Sequence, residues 1–173
     1  MADRIVFTTP ADPRALPLIE ELSREYDERY GLNDGVPSSF ELHRYPAEHF
    51  SARLGGAFLL VIRDGVAIAG GAFKRTDAET AEIKRVWTSS AHRRQGLARL
   101  VMAELEAHAA ATGYTTVELT TGARQPEALN LYLGLGYTPR FDLDGDLEEI
   151  SYLRFDKRLA QISVSSGSAV AAA

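Results

Sequence analysis

Cysteine is absent from this chain. Disulfides, thiolate metal ligation and a cysteine nucleophile are therefore excluded. No apolar run approaches the roughly 18 residues that a membrane span requires, so no membrane partner is expected. The first residues lack the basic stretch and apolar core of a secretory signal, which points to a cytoplasmic protein. The four histidines (His43, His49, His92 and His108) show no H-x-x-x-H spacing, and no metal is expected. Positive charge is not in excess: 19 Lys and Arg stand against 24 Asp and Glu, a net charge of −5. That balance argues against a nucleic-acid partner and mildly favours a cationic one. Two common phosphate-binding patterns, G-x-x-x-x-G-K-[ST] and G-x-G-x-x-G, are missing as well.

What remains is a chain of 173 residues, 45% hydrophobic and 25% charged. That is the composition of a soluble globular protein with a sizeable core. The expectation is one domain over residues 1–158 and a low-complexity tail over 159–173, ending SVSSGSAVAAA.

Local patterns predict the elements. Arg4 to Thr8 alternates as a strand. Asp12 offers an N-cap to an amphipathic helix over 13–30, with Leu16, Ile19, Leu22 and Tyr26 on one face. Residues 31–45 are turn-rich. Pro46 to Leu54 reads as a second helix. Ala57 to Ile62 and Val66 to Phe73 are strands joined by the Asp64-Gly65 hairpin signal, and Gly70-Gly71 suggests a bulge or a close backbone approach. A strand over 80–89 feeds a helix over 95–111, stopped by Gly113. A β-branched strand over 115–121 follows. A helix over 126–135 and strands over 137–142 and 150–155 complete the order. Hairpins plus one β-α-β crossover predict a mixed sheet with helices on both faces.

The most informative stretch is residues 79–113, ETAEIKRVWTSSAHRRQGLARLVMAELEAHAAATG. An extended run meets a basic turn (Arg93, Arg94, Gln95, Gly96, Leu97, Ala98), and a long alanine-rich helix follows. A glycine-bearing turn at a helix start presents unpaired N–H groups to one point, and the helix dipole adds partial positive charge there. Such a turn holds a phosphate or pyrophosphate, and the arginines add charge-assisted bonds.

This R-x-x-G-x-A run resembles the coenzyme A pyrophosphate loop of the GNAT superfamily of acyl-CoA N-acyltransferases, written [Q/R]-x-x-G-x-[G/A]. Residues 125–137, QPEALNLYLGLGY, resemble that family's N-x-x-A-x-x-x-Y-x-x-x-G-[F/Y] segment. Ala128, Tyr132, Gly136 and Tyr137 fall in register. Gln125 stands where asparagine is usual, and Asn130 on the same short helix is an alternative cofactor contact. The element order is similar to the GNAT fold over roughly residues 3–158. The resemblance implies an α/β (α+β) fold: a mixed, mostly antiparallel twisted sheet of six to seven strands flanked by about four helices, splayed between the fourth and fifth strands. Those are the strands over 80–89 and 115–121.

The resemblance further implies that acetyl-CoA enters the splay and pairs its pantetheine amides with the backbone of Val86, Trp87 and Thr88. An amine would attack the thioester directly. Tyr132 matches the family tyrosine beside the sulfur and is the general-acid candidate. An N–H near Val86 would polarise the acyl carbonyl. Glu82 matches a catalytic glutamate of some family members, about 20 Å back from Thr88 at ~3.3 Å per residue. Glu118 matches a base position in others. Either could act directly or through water. The acceptor is expected over the 31–45 loop, the 57–75 hairpin and the last strands. Asp34, Glu41, Asp142, Asp144 and Asp146 there could attract a cation. A small-molecule amine ranks first as acceptor, ahead of a peptide or protein amine, and many relatives are dimers, which leaves a homodimer open. The alternative is a non-catalytic acyl-CoA-binding or regulatory protein of the same fold.

Overall fold

The computed structural model describes residues 2–150 and 152–160. Its elements are β1 (Arg4–Thr8), α1 (Leu16–Tyr30), β2 (Leu32–Asn33), β3 (Val36–Pro37), β4 (Ala57–Arg63), β5 (Val66–Arg75), β6 (Thr80–Thr88), α2 (Leu97–Thr112), β7 (Thr116–Thr121), α3 (Pro126–Gly134), β8 (Thr138–Pro139) and β9 (Leu153–Arg158). Asp64 and Gly65 both take positive φ (51° and 84°), the pairing a two-residue I′ hairpin turn needs, and they join β4 to β5. Seven strands lie in the order β1-β4-β5-β6-β7-β9-β8. Only β6 and β7 run parallel, as the crossover through α2 requires.

Each face of the sheet carries its own core. On one side α2 contributes Val101, Met102 and Leu105, which pack with Leu59, Ile83 and Phe155. On the other side α1 contributes Leu18 and Leu22, which pack with Phe58, Leu60 and Trp87. Each such buried side chain contributes about 1.5–3 kcal/mol of transfer free energy. Strands buried on both faces explain why β4 reads as an unbroken apolar run rather than an alternating one. Among the described residues no helix is long and apolar enough to cross a membrane.

Gly70 and Gly71 sit where the helices come closest. A Cβ on Gly70 would lie 2.8 Å from Leu18 Cδ1, and one on Gly71 would lie 2.9 Å from Val101 Cγ1. The β5–β6 register also shifts between Gly70 and Ala72. Opposite that shift Arg85 adopts φ +60°, the bulge conformation of β6. The bulge reverses the alternation of the strand. Ala81 and Ile83 face α2 before it, whereas Trp87 faces α1 after it.

Several elements depart from the sequence expectations. Asp12 does cap the first helical turn, accepting from Arg14 N at 2.9 Å. That turn (Pro13–Ala15) is 3₁₀, so Ala15, Leu18 and Leu22 are buried and Leu16 is 54% exposed. The helix expected over 46–54 is two 3₁₀ turns, Ala47–Phe50 and Ala52–Leu54. Ser51 is extended between them, and its hydroxyl closes the first turn on the Glu48 carbonyl. β8 is only two residues long, and Pro139 has no N–H to extend the ladder. The last strand begins at Leu153, because a 3₁₀ turn capped by Asp146 occupies Leu147–Glu149. Leu159 is buried and its N–H reaches Thr115 O at 2.8 Å. The tail over 161–173 lies outside the described residues.

Candidate active site

β6 and β7 pair at only three positions: Thr80 with Thr116, Ala81 with Val117 and Glu82 with Glu118. From Ile83 onward the β7-facing backbone of β6 has no strand partner. Unpaired ladder groups need an acceptor or donor, and an extended amide-bearing ligand can supply both. This fork places Val86, Trp87 and Thr88 along its wall. Val86 is half-buried against the α2 core. Trp87 is 3% exposed, and its indole N–H donates to Glu21 Oε2 at 3.0 Å, so its side chain serves the core. Thr88 Oγ1 is buried without a hydrogen-bond partner among the described residues.

The basic turn lies where β6 ends. Arg94 (φ +62°) and Gly96 (φ +78°) both adopt left-handed backbone, and Gly96 is the N-cap of α2. Among the described residues the consecutive amides of Arg93 through Arg99 donate to no acceptor, and the first bonded one is Leu100 N, to Gly96 O at 3.0 Å. Successive free amides curled at a helix N-terminus form an anion-binding concavity. Arg93 is half-exposed and 3.7 Å from Glu25, leaving it able to turn to a phosphate. Gln95 Oε1 is held by Arg63 at 2.9 Å. Leu97 is buried under the turn and anchors it, with Ala98 beside it half-buried.

Glu82 and Glu118 stand opposite each other at the base of the fork and line one cavity with Leu119, Thr120 and Arg154. Glu82 is bound by Lys74 Nζ at 2.7 Å and Lys84 Nζ at 3.1 Å. Burial pushes its pKa upward, but the two ammonium groups outweigh that and hold it below the ordinary carboxylate value. Glu118 accepts from Arg154 at 2.6 Å and from Thr76 Oγ1 at 3.0 Å.

α3 brings in Tyr132, which is 7% exposed and packs edge-on to Tyr137 (5.8 Å) and against Phe155 (5.7 Å). Burial, with a smaller contribution from Tyr26, pushes its phenol far above the ordinary tyrosine pKa. Tyr26 on α1 is raised to about 12, chiefly by its own burial. Gln125 Nε2 donates to the Tyr30 phenol at 3.1 Å, tying α1 to the start of α3. Asn130 is exposed on α3.

The side chains that sequence reasoning passed over lie on the α1 side of the fork. The Tyr45 ring is flanked by Lys74 Nζ (4.7 Å) and Lys84 Nζ (5.0 Å). Arg85 lies over the Phe50 ring at 4.4 Å and donates to the Leu42 carbonyl. The glycine pair hinted at the bulge that turns Arg85 inward, but nothing in the sequence placed Tyr45 between two lysines.

A parting parallel strand pair, an amide-lined turn at its end and a buried tyrosine opposite are together a recognisable arrangement, and comparison with known proteins bears on it. The model of the Acetyltransferase (GNAT) family matches residues 17–137, from the start of α1 to the end of the Tyr132 segment. A candidate acyl-CoA N-acyltransferase of Klebsiella pneumoniae has a similar structure, with a TM-score of 0.69 and 25% identity over 91% of this chain and 98% of that one. A GNAT-family acetyltransferase of Staphylococcus aureus superposes with a TM-score of 0.71 at 14% identity, covering 91% of this chain and 100% of that one. A candidate acetyltransferase of Salmonella typhimurium, solved with its cofactor acetyl-CoA, gives 0.66 at 20% identity, covering 97% and 100%. No curated protein matches the sequence. The matched stretch takes in the fork, the amide turn and the α3 tyrosine alike, and this chain belongs to the GNAT acetyltransferase family.

Proposed function

We propose that this protein transfers an acetyl group from acetyl-CoA to the primary amine of a small molecule, by direct attack. The observation that carries the reading is the fork beyond Glu82 and Glu118, opening beside the free amides of Arg93 through Arg99. The pyrophosphate would sit on those amides with Arg93 and Arg94, and the pantetheine would run along Val86 to Thr88. Gln125, at the N-cap of α3, and Asn130, in its middle, would meet the arm from the other wall. The solved Salmonella relative with acetyl-CoA supports this cofactor.

The amine must be neutral to attack. Lys74, Lys84 and Arg154 near the fork favour loss of its proton, and Glu82 or Glu118 can receive it directly or through water. Attack forms the C–N bond and places negative charge on the carbonyl oxygen, where an N–H at the Val86 bulge could donate. The nitrogen, now positive, passes its second proton to water, and collapse breaks the C–S bond and releases coenzyme A as thiolate. The Tyr132 phenol, kept protonated by burial, would donate to that sulfur. Its phenoxide is a stronger base than the departing thiolate, so hydrogen bonding rather than full proton transfer is its larger contribution.

The test is a thiol-release assay over a panel of primary amines. Amine-dependent release, with the acetylated amine identified by mass, supports the reading. Tight acetyl-CoA binding without amine-dependent release from any member of the panel would replace it with that of a non-catalytic acyl-CoA binder.

A further inference from the structure

We propose that the acceptor is a small apolar amine carrying a carboxylate on the same molecule, and that Arg85 with the cations around Tyr45 receives that carboxylate. This deepens the proposed function and rests on it.

The argument begins with a local charge excess. The chain as a whole is acidic, with a net charge of −5. Beside the fork the balance is reversed. Lys74 and Lys84 share the single carboxylate of Glu82, at 2.7 and 3.1 Å. Glu41 is the other nearby carboxylate, and it already serves Arg44 at 3.3 Å and Lys84 at 3.9 Å. Three cationic side chains, Arg44, Lys74 and Lys84, thus face two carboxylates around one ring, Tyr45. The lysines are only 12% and 18% exposed, so water compensates little of the excess.

Arg85 is the strongest indicator. Its guanidinium has five N–H donors. Among the described residues it makes no ion pair, and its hydrogen bond is to the Leu42 carbonyl. Desolvation dominates its environment and lowers its pKa despite its attraction to Tyr26 and Glu41. A largely buried cation with no direct ion pair is costly, and a ligand carboxylate would supply that pair. Its backbone is held in the left-handed region at φ +60°, a further local cost that fixes the side chain on the α1 side of β6.

Arg85 also lines a cavity. The other walls include Leu18 and Ile19 of α1, with Leu42 and Tyr45 from the segment that follows β3. Those walls suit an apolar side chain, and the guanidinium suits a carboxylate, which it can bind in bidentate fashion. Lys74 and Lys84 each touch both the Glu82 carboxylate and the Tyr45 ring that lines this cavity. An acceptor seated here would place its carboxylate at Arg85 and its amine toward Glu82 and the thioester. The exposed acidic residues of the 142–146 turn, in contrast, satisfy their own backbone: Asp142 accepts from Asp144 N and Asp146 from Glu148 N.

The experiment uses the full chain with acetyl-CoA and matched acceptors: leucine, methionine and phenylalanine, each beside its amide and its decarboxylated amine. Rates are corrected for the fraction of neutral amine. The expected result is a kcat/KM at least about tenfold higher for the best amino acid than for its two uncharged counterparts, the worth of one charge-assisted bond. Arg85→Gln should erase that ratio, and Arg85→Lys should restore part of it. If Arg85→Gln does not fold, the ratio in the wild-type protein decides alone. Equal or faster transfer to the amides and decarboxylated amines overturns the inference and leaves the acetyltransferase reading intact. No release from any amine, charged or neutral, by protein that binds acetyl-CoA overturns both.

Discussion

Replacing Tyr132 by phenylalanine separates catalysis from architecture, and the structure sets the size of each effect. The Tyr132 ring is packed against Tyr137 and Phe155. The hydroxyls of Tyr30, Tyr114 and Tyr137 are hydrogen-bonded, but that of Tyr132 has no such partner among the described residues. Removing it therefore leaves no buried group unsatisfied and no void larger than an oxygen atom. The cost in folding should be below about 1 kcal/mol. Acetyl-CoA affinity should be unchanged, because the hydroxyl acts only on sulfur that is gaining charge. A hydrogen bond to a developing thiolate contributes about 1.5–3 kcal/mol, so kcat should fall about 10–100-fold. The assay is steady-state thiol release at saturating acetyl-CoA, with denaturant unfolding and calorimetry on the same preparation. A kcat within about twofold of wild type would remove Tyr132 from the reaction.

Other perturbations probe other parts of the account. Arg94→Gly should raise stability by up to about 1 kcal/mol, since a left-handed residue loses its Cβ, yet weaken acetyl-CoA binding about tenfold through the lost charge. Parallel unfolding and titration curves check that opposition. Gly56→Ala should be severe, because its Cβ would lie 2.1 Å from His49 O and 2.9 Å from Phe73 O, both backbone atoms. A loss of about 3 kcal/mol implies a melting point lower by about 6–12 °C, read by calorimetry. Glu82 is held below its ordinary pKa by Lys74 and Lys84. Its contribution to stability is accordingly complete above the unfolded pKa and lost as pH falls through the folded one. Glu82→Gln should therefore destabilise the protein near about pH 7 and have little effect near about pH 2, as measured by urea unfolding at both. For the same reason the acid limb of the rate should track the ammonium pKa of each acceptor rather than that of Glu82, which a pH profile with two amines of different basicity would reveal.

The parts of this fold that sequence exposes are those governed by local chemistry. Asp64-Gly65 encodes its turn in the φ values it tolerates, and Arg93 to Ala98 encode an amide cradle through one glycine before a helix. The hairpin turn appears where expected, and Gly96 precedes α2 as the pattern anticipates. The short β8 and the displaced β9 depend instead on pairing partners far away in sequence, and no local pattern locates them. Ser51 splits an apparent helix by binding the Glu48 carbonyl, a competition that periodicity does not weigh. The side proposed for the acceptor was the least legible. Net charge favours a cationic partner, but Lys74, Lys84 and Arg85 reach Tyr45 and Leu42 only after three strands and a bulge are assembled.

Isothermal titration of the protein with acetyl-CoA and, separately, with S-acetylpantetheine bears most directly on the amide cradle at Arg93 through Arg99. The account expects measurable acetyl-CoA binding that weakens at least about a hundredfold when the phosphoadenosine diphosphate portion is missing, the worth of several charge-assisted bonds. Equal affinity for the two compounds, or none for acetyl-CoA, would contradict it.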